Sequence, residues 1–409
     1  MRECILQNNQ LEIGRNGNRG VPCGFQVTSM KREKKIIRAV TVSMSVNFFA
    51  SMIPDLQKKG FEIVTVSSDG PELEHIRSLG AKTTIVDMYR RMSPVKDLMS
   101  LVKLIRVFAK EKPLIVHSMT PKAGLLCMVA SCITRVPLRI HTFTGLVWPT
   151  ASGISKKILM FTDWLTCTCA THIIPEGQGV KNDLQSHITK KPMKVLGYGN
   201  VRGVDMERFS ERKEITELAS HIRDKEAFTF LFVGRIVGDK GINELVEAFV
   251  RLNQEHRNTR LVLTGNYERN LDPIRLDTQE FIDCHDAIIT TGPKSGDDLV
   301  AQYAACDCFV FPSYREGFPN TVLEAGAMGL PCIVTDINGS REIIENANNG
   351  IIIPPRDAES LYLAMKSIYE NSSLRETLAG NARPMIESRF DKGFVKRCLL
   401  DFYDMILEK

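Results

Sequence analysis

The chain has 409 residues, of which 43% are hydrophobic and 25% charged, and this composition excludes a disordered chain, a collagen-like chain and a disulfide-bonded miniprotein. Its net charge of +5 conceals two opposed halves. Residues 1–200 hold 28 Lys and Arg against 14 Asp and Glu, whereas residues 201–409 hold 25 against 34, an asymmetry that indicates a ligand or surface of opposite charge.

The first 29 residues are polar and contain the Gly-rich stretch GRNGNRG at 14–20. A phosphate-binding loop should follow a strand and open a helix, and this stretch does neither, so residues 1–29 are predicted to be a disordered extension. No basic region followed by an apolar core marks a signal peptide, and no apolar run in the chain reaches about 18 residues. A cytoplasmic protein is therefore expected, with its eleven cysteines reduced.

Residues 30–200 alternate short apolar runs with amphipathic stretches of helical length, such as 47–59 and 96–110. Apolar runs of this length suit strands that are buried on both faces of a parallel sheet. The predicted strands of this half are 36–42, 62–67, 83–86, 114–117, 138–142 and 172–175.

The alternation pauses in the Gly-rich segment 197–209 and then resumes, with strands predicted at 228–233, 260–264, 287–290, 308–311 and 331–335. The sequence therefore predicts an α/β protein of two doubly wound, Rossmann-like domains, 30–200 and 201–390, which face a cleft. An amphipathic helix within 391–409 is predicted to pack back on the first domain. Ligands of open parallel sheets bind beyond the carboxyl ends of the strands, so the chemistry is expected in the loops that follow strands.

The first candidate site is the segment 231–249, LFVGRIVGDKGINELVEAF. A predicted strand ends at Gly234, and Arg235 and Lys240 follow before a helix. Arginine offers a bidentate fork and lysine a point charge, so the pair suits a diphosphate. On these residues alone, a solvated basic turn is an equal alternative.

The second candidate site is the segment 312–336. Two prolines and Gly317 give a rigid loop after a strand, and Asn320 or Thr321 is predicted to cap the helix that follows. The free amides of the first helical turn suit phosphate. Glu316 in the loop and Glu324 one turn inside the helix suit the paired hydroxyls of a sugar and a ribose, although acids near a helix N-terminus also stabilise the helix by themselves.

EGFPNTVLE at 316–324 resembles the Glu-x7-Glu signature of retaining glycosyltransferases of the GT-B fold, family 4. GRIVGDKG at 234–241 is similar to that family's phosphate loop and GVDMERF at 203–209 to its interdomain motif, and the likeness covers residues 34–409. It implies that Glu316 contacts the donor sugar, that Glu324 contacts the nucleotide ribose, and that Arg235 and Lys240 stabilise the leaving diphosphate. The resemblance also implies donor binding by Gly234, Gly317, Phe318, Asn320 and Thr321.

VHSMTPKAGLLCMVAS at 116–131 and the segment 139–174 resemble the subgroup that assembles capsule, O-antigen and lipid-linked oligosaccharides. Related enzymes transfer hexoses or N-acetylhexosamines onto polyprenyl-diphosphate-linked sugars. His117 is expected to face the cleft and to hold donor and acceptor in register, the alternative being a hydrogen-bonded histidine at a strand end. The residues expected to contact the acceptor are Thr120, Lys122 and His141.

Three positions depart from the family pattern. Met119 stands where relatives often have a second His, Thr144 where they often have the His of a His-Gly pair, and Arg202 where they often have the Asn of an Asn-Gly pair. These departures leave the expected donor site intact and concern the acceptor geometry.

The resemblance implies transfer from a nucleotide-diphosphate sugar, with UDP as the favoured nucleotide and with retention at the anomeric carbon. No cofactor or metal is expected, because the pairs Cys167/Cys169 and Cys306/Cys308 lack a second pair at zinc-site spacing. A nucleotide-sugar 2-epimerase, which needs no acceptor, and a non-catalytic subunit that binds a sugar nucleotide are the alternatives.

The basic first half is expected to associate peripherally with the inner face of the cytoplasmic membrane, where a lipid-linked acceptor would lie. Nucleic acid is not expected, because no recognition motif with interleaved aromatic residues accompanies the positive charge. The candidate membrane-facing cations are Lys31, Arg32, Lys34, Lys35, Lys156, Lys157, Lys190, Lys191 and Lys194. The candidate apolar contacts are Leu146, Val147, Trp148, Ile158, Leu159, Met160 and Phe161.

Overall fold

The computed structural model describes residues 34–89, 93–268 and 272–408. The predicted extension 1–29, together with Lys31 and Arg32, lies outside the described residues. The described chain forms two parallel sheets of six strands each, with helices packed on them. The predicted α/β class, with two doubly wound domains, is confirmed.

The first sheet has the strand order β3-β2-β1-β4-β5-β6, so the order reverses between the central strands β1 and β4. Its strands are β1 (Lys35–Ala39), β2 (Glu62–Ser67), β3 (Lys82–Ile85), β4 (Ile115–Met119), β5 (Leu138–Phe143) and β6 (His172–Pro175). The helices of this half are α1 (Ile53–Lys58), α2 (Glu72–Ser78), α3 (Pro94–Glu111), α4 (Pro121–Ile133), α5 (Gly153–Cys169) and α6 (Gln178–His187).

The prediction of a single helix over 47–59 is wrong. In its place stand two 3-10 helices, Ser43–Phe48 and Ala50–Met52, followed by the short helix α1. Pro54 lies in the first turn of α1, where its missing amide costs nothing, whereas inside a longer helix it would break a hydrogen bond. A third 3-10 helix, Trp148–Thr150, precedes α5.

The second sheet has the order β12-β11-β10-β7-β8-β9. Its strands are β7 (Phe228–Val233), β8 (Thr259–Thr264), β9 (Ile288–Thr290), β10 (Cys308–Phe311), β11 (Cys332–Thr335) and β12 (Gly350–Ile353). The helices are α7 (Lys213–Ile222), α8 (Ile242–Glu255), α9 (Leu276–Cys284), α10 (Gly296–Ala304), α11 (Asn320–Ala327), α12 (Ser340–Ile343), α13 (Ala358–Glu370), α14 (Ser372–Phe390) and α15 (Lys392–Leu407), with a 3-10 helix at Gly238–Lys240. Strand β12 was not predicted, because it is a four-residue edge strand that is followed directly by two prolines.

The last helix, α15, packs on the first domain, as the sequence predicted. Its apolar face joins the core that β1 and the segment before α1 form around Ile36 and Phe49. The buried residues that α15 contributes are Leu399, Phe402, Tyr403 and Ile406. The end of the chain thus completes the core of the domain at its beginning.

The two domains meet through close backbone approaches at the carboxyl edges of their sheets. A Cβ atom on Gly145 would lie 3.0 Å from the Cα atom of Gly317, so both positions need to lack a side chain for this contact. Nearby, Glu342 of α12 accepts a hydrogen bond from the backbone amide of Gly179 at 3.0 Å, in the first turn of α6. A carboxylate of the second domain therefore stabilises a helix N-terminus of the first domain.

Candidate functional site

The loop between β10 and α11 carries Glu316 to the cleft. Glu316 forms an ion pair with Lys240, and the Ser313 hydroxyl donates to its Oε1 atom at 2.8 Å. The Lys240 ammonium also lies 5.3 Å from the centre of the Phe311 ring. The two charged side chains are only 13% and 16% exposed, so their attraction is little screened by solvent.

Gly241 allows the loop that bears Lys240 to lie against the loop that bears Glu316. Its φ of 72° lies in the left-handed region, and a Cβ atom there would be 2.1 Å from the carbonyl oxygen of Pro312. A residue with a side chain would therefore meet both backbone strain and a steric clash. The Lys-Gly pair of the sequence motif thus has a geometric role as well as a charge.

Arg235 follows β7 and Gly234 on the same side of the cleft. Its Nη1 atom lies 2.7 Å from an oxygen of Glu268, which follows β8. Both predicted phosphate-binding cations, Arg235 and Lys240, are therefore paired with carboxylates in the structure. A diphosphate that bound them would compete with Glu268 and Glu316 for the same donors.

These groups line two neighbouring cavities between the domains. The larger, the main cavity, has a volume of about 840 Å³ and includes residues from the strand ends of both sheets. The smaller, the inner cavity, has a volume of about 350 Å³. Both are lined by Gly234, Arg235, Lys240, Glu316 and Gly317, so the structure brings these five predicted site residues together.

The residues after Gly317 that were predicted to bind the donor differ in their placement. Phe318, Asn320 and Thr321 line the inner cavity, but the Phe318 side chain is mostly buried, with its ring 5.3 Å from that of Phe390. The predicted helix cap is wrong: α11 begins at Asn320, and neither Asn320 nor Thr321 caps it. The Asn320 side chain instead accepts a hydrogen bond of 3.1 Å from the Asn200 amide, because the connecting segment passes beside the helix start.

Glu324 lies in a separate cavity of about 510 Å³, also between the domains, which it shares with Asn320 and Arg202. The Tyr303 hydroxyl donates to Glu324 Oε2 at 3.1 Å, and Arg202 Nη1 lies 4.0 Å from Oε1. Burial raises the pKa of Glu324 above its ordinary value, against the lowering effect of Arg202 and of the tyrosine hydrogen bond. The ribose contact of Glu324 stays a prediction.

His117 does not face the cleft, so the placement predicted for it is wrong. It lies inside β4 and is fully buried. Its Nδ1 atom is 2.6 Å from the Tyr403 hydroxyl of α15, and its Nε2 atom is 2.7 Å from the Thr142 hydroxyl of β5. The alternative of a hydrogen-bonded histidine is what the structure shows, and the catalytic role of His117 is left without a contact to the cleft.

The hydrogen bonds around His117 continue to a buried cation. Arg38 Nη1 donates to the Tyr403 oxygen at 2.6 Å, since a guanidinium has no acceptor. Tyr403 therefore links the buried ring of His117 to the guanidinium of Arg38. Burial, then the charge of Arg38, holds the pKa of His117 well below its ordinary value, so the ring is neutral.

The three predicted acceptor residues separate in the structure. Thr120 lines the main cavity, with its hydroxyl 2.7 Å from that of Thr41. Lys122 Nζ lies 2.5 Å from a carboxylate oxygen of Asp97 and is not among the lining residues of the main or inner cavity. His141 is buried beside Ser118, and burial lowers its pKa to about 3. Acceptor binding by all three residues stays a prediction.

The structure adds Glu176, which the sequence reasoning missed. It follows β6 directly, is 4% exposed, and lines the inner cavity from the side of the first domain. A Cβ atom on Gly317 would lie 2.8 Å from its Oε2 atom. The signal was present in the sequence, because an acid that directly follows a buried parallel strand lies at the edge where ligands bind.

Several predicted membrane-facing residues are instead buried or hydrogen-bonded within the first domain. Lys35 is 7% exposed and bonds Glu111 at 2.8 Å, and Leu146 and Trp148 lie in the core. Lys191 donates to the carbonyl of Cys167 at 3.0 Å, at the C-terminus of α5. No helix in the described parts of the chain is long and apolar enough to cross a bilayer.

Helix α5 nevertheless presents an exposed apolar stripe. The stripe consists of Ile154, Ile158, Phe161 and Trp164, and the last two rings stack at 5.6 Å. Lys156 and Lys157 belong to the same helix, and their predicted contact with a membrane stays a prediction. Within the ranges that the structure describes, no group of three or more His, Cys, Asp or Glu side chains is arranged to hold a metal ion.

Comparisons with known proteins agree with this geometry. Residues 214–385 match the family described as glycosyl transferases group 1, and residues 46–199 match the glycosyl transferase 4-like domain. The chain is 33% identical to the capsular polysaccharide biosynthesis glycosyltransferase CapM of Staphylococcus aureus, over 92% of this chain and 99% of that protein.

A second relative is the UDP-Gal:alpha-D-GlcNAc-diphosphoundecaprenol alpha-1,3-galactosyltransferase of Escherichia coli. It is 28% identical to this chain, over 87% of this chain and 92% of the relative. Among solved structures, HepE of Anabaena in complex with UDP-glucose superposes with a TM-score of 0.75 at 17% identity, and covers 91% of this chain and 99% of its own. At that identity the likeness shows a shared fold.

Proposed function

The chain belongs to the GT-B glycosyltransferases of family 4 and acts in polysaccharide biosynthesis, and from this premise we propose that it transfers a hexose or N-acetylhexosamine from a UDP-linked sugar to a lipid-linked saccharide, with retention at the anomeric carbon. The donor is supported by the name of the Escherichia coli relative, which includes a UDP-linked sugar and a diphosphoundecaprenol acceptor. The complex of HepE with UDP-glucose supports the same nucleotide.

The observation that carries the proposal is the convergence of Arg235, Lys240 and Glu316 on two adjoining interdomain cavities. Departure of a nucleoside diphosphate places negative charge on the leaving oxygen. In the proposed mechanism, Arg235, Lys240 and the first-turn amides of α11 stabilise that charge, after the diphosphate has displaced the carboxylates that pair with the two cations. Once the diphosphate has bound Lys240, the carboxylate of Glu316 accepts hydrogen bonds from the sugar hydroxyls.

In the proposed mechanism the acceptor hydroxyl attacks from the face that the diphosphate leaves. The new glycosidic bond forms as the bond to the diphosphate breaks, and the acceptor proton passes to the departing phosphate oxygen. This route retains the anomeric configuration and needs no metal ion. Enclosure of the sugar between the two domains excludes water and so limits hydrolysis of the donor.

We also propose that the protein works at the inner face of the cytoplasmic membrane, with α5 toward the lipid. The exposed stripe of Ile154, Ile158, Phe161 and Trp164 offers apolar and aromatic surface, and Lys156 and Lys157 lie beside it. This combination is typical of a helix that lies in the interface of an anionic bilayer. The support comes from these exposed residues and from the net charge of +14 on residues 1–200.

One experiment tests the function directly. The protein is incubated with UDP-sugars labelled in the sugar, with and without a diphosphoundecaprenol-linked saccharide, and nucleotide release and labelled products are followed. Acceptor-dependent release with a labelled lipid product supports the transferase. Isomerisation without acceptor would instead identify a 2-epimerase, and binding without turnover would identify a non-catalytic subunit.

A further inference from the structure

Glu176 is a buried acid at the carboxyl edge of the first sheet, and backbone hydrogen bonds hold it there. Its backbone amide donates to the Phe143 carbonyl at 3.0 Å, and its own carbonyl accepts from the Asn200 amide at 2.8 Å. The first bond ties it to β5 and the second to the segment between the domains. Both backbone polar groups of Glu176 are therefore hydrogen-bonded, which fixes the position from which its side chain extends.

The carboxyl of Glu176 has no protein partner within the described parts of the chain. No described donor hydrogen-bonds its oxygens, although the group is almost completely removed from solvent. Burial of a carboxyl without a hydrogen-bond partner is unfavourable, so such groups are uncommon in cores. The group borders the inner cavity, where a ligand is able to supply what the protein does not.

Glu176 and Glu316 line the same inner cavity but have different surroundings. Burial raises the pKa of Glu176 well above its ordinary value, and the nearby charges of Glu316 and Glu342 raise it further, which favours the protonated carboxyl. Glu316 instead forms an ion pair with Lys240 and accepts a hydrogen bond from Ser313. A protonated carboxyl both donates and accepts, which is the pattern that a sugar hydroxyl requires.

The first domain has little else to offer a ligand at this place. Besides Glu176, it contributes only Phe48 and Thr144 to the wall of the inner cavity as described. Its other contributions to the main cavity are uncharged. With His117 occupied inside the sheet, Glu176 is the one titratable side chain that the first domain places on the described wall of either cavity.

We propose that Glu176 is a sugar-binding residue, whose carboxyl hydrogen-bonds a hydroxyl of the transferred sugar held between Glu316, Gly317 and Lys240. The proposal rests on the proposed function, because it assumes a nucleotide sugar in this cleft. It places one contact to the sugar on the first domain, opposite the contacts of the second. The nucleotide moiety itself makes no contact with Glu176.

The test compares the binding of UDP with the binding of a panel of UDP-hexoses and UDP-N-acetylhexosamines to the full chain by calorimetry. Glu176→Ala should weaken binding of the cognate UDP-sugar by about tenfold, the equivalent of one lost hydrogen bond, and leave UDP binding within about twofold. Glu176→Gln, which keeps a donor and an acceptor in nearly the same shape, should stay within about threefold of the wild type for both ligands.

The controls separate a sugar contact from a structural role. Glu74→Ala removes an exposed acid of α2 and should leave both affinities unchanged, and thermal melts report whether each variant is folded. Equal weakening of UDP and UDP-sugar by Glu176→Ala, or no weakening of either, would overturn the proposal. So would a Glu176→Gln variant as weak as Glu176→Ala, because an ionised carboxylate would then be required. A wild-type protein that binds no UDP-sugar would overturn the proposed donor itself, and the role of Glu176 with it.

Discussion

The two sheets present polar side chains at corresponding edges, but the two domains use them in different ways. In the first domain, His117 and His141 are buried, and their ring nitrogens bond Tyr403, Thr142 and Ser118. In the second domain, Lys240 and Glu316 bond each other and still border open cavities. The comparison teaches that a polar residue near a strand end belongs to a site only when it borders space that a ligand can enter.

Substitution of Lys240 should have the largest effect on catalysis. Lys240→Ala removes a cation that the proposed mechanism places on the leaving diphosphate, and kcat should fall by about 10²–10³, the usual loss for one preorganised electrostatic donor. Initial rates with the cognate donor and acceptor measure it.

The matched control for this variant is Lys366→Ala. Lys366 bonds Glu255 at 2.6 Å, but on the outer surface of the second domain. Its kcat should equal that of the wild type. A near-normal kcat in Lys240→Ala would show that Lys240 does not stabilise the leaving diphosphate. The proposed functional difference between the sheet edges of the two domains would then be lost.

His117→Ala should affect stability rather than donor binding. The change removes the His117 hydrogen bonds of the buried Tyr403 and Thr142 hydroxyls and should lower the free energy of unfolding by about 2–4 kcal/mol. Urea titration measures the loss, and Tyr403→Phe, which removes only the hydroxyl, should lose about 1–3 kcal/mol.

The donor KM of the folded His117→Ala enzyme should remain within about twofold of the wild type, because the ring does not line either cavity. If kcat or KM changes strongly while stability is unchanged, His117 acts in the cleft after all. That result would make the two domains alike instead of different.

Gly241→Ala tests whether the second domain depends on backbone as well as charge. The substituted residue would meet both an unfavourable φ and the Pro312 carbonyl, so we expect a loss of about 2 kcal/mol and a fall in kcat of about tenfold as Lys240 moves away from Glu316. Gly329→Ala is the matched control, because Gly329 has a similar φ of 76° with no atom within 4 Å of the added Cβ. It should lose only about 1 kcal/mol and keep its activity. Equal activities in the two variants would contradict the role of the close approach.

His141 should make the stability of the first domain depend on pH, with no expected effect on catalysis near neutral pH. His141 has a pKa of about 3 in the folded chain and an ordinary value of 6.5, so the unfolded chain binds its proton first as the pH falls. Stability from this group is present above pH 6.5 and is lost by about 1.4 kcal/mol per pH unit between pH 6.5 and 3. His141→Gln should flatten the slope of unfolding free energy between pH 6 and 4 by that amount. The exposed His221→Gln serves as control, and identical slopes in all three proteins would contradict the prediction.

The fold and the cleft position of Arg235 and Lys240 could be predicted from the sequence because their signals are local. Strands such as β7 are continuous apolar runs, and the Gly-Arg and Lys-Gly pairs lie within a few residues of a strand end. The placement of His117 could not be predicted in this way. Its state depends on Tyr403, 286 residues away in the chain, and only the packing of α15 brings that hydroxyl into reach.

Glu176 illustrates another limit of prediction from the sequence. Its position after β6 was visible in the sequence, but its burial and the nearby charges of Glu316 and Glu342, on which its proposed role rests, are revealed only by the packed structure. The predicted cap of α11 was wrong for a similar reason. The Asn320 side chain bonds Asn200, which belongs to the interdomain segment and is distant in the sequence. Local patterns indicated that Arg235 and Lys240 lie at the cleft but did not indicate the buried acid Glu176.

The return of α15 to the first domain sets an order for biosynthesis. As the chain leaves the ribosome, β1 and β4 emerge with Arg38 and His117 long before α15 brings Tyr403, the hydroxyl that both require. Until α15 is synthesised, the first domain lacks both the helix that completes its core and the hydroxyl that bonds Arg38 and His117. Its folding is therefore completed only after the whole second domain has been translated.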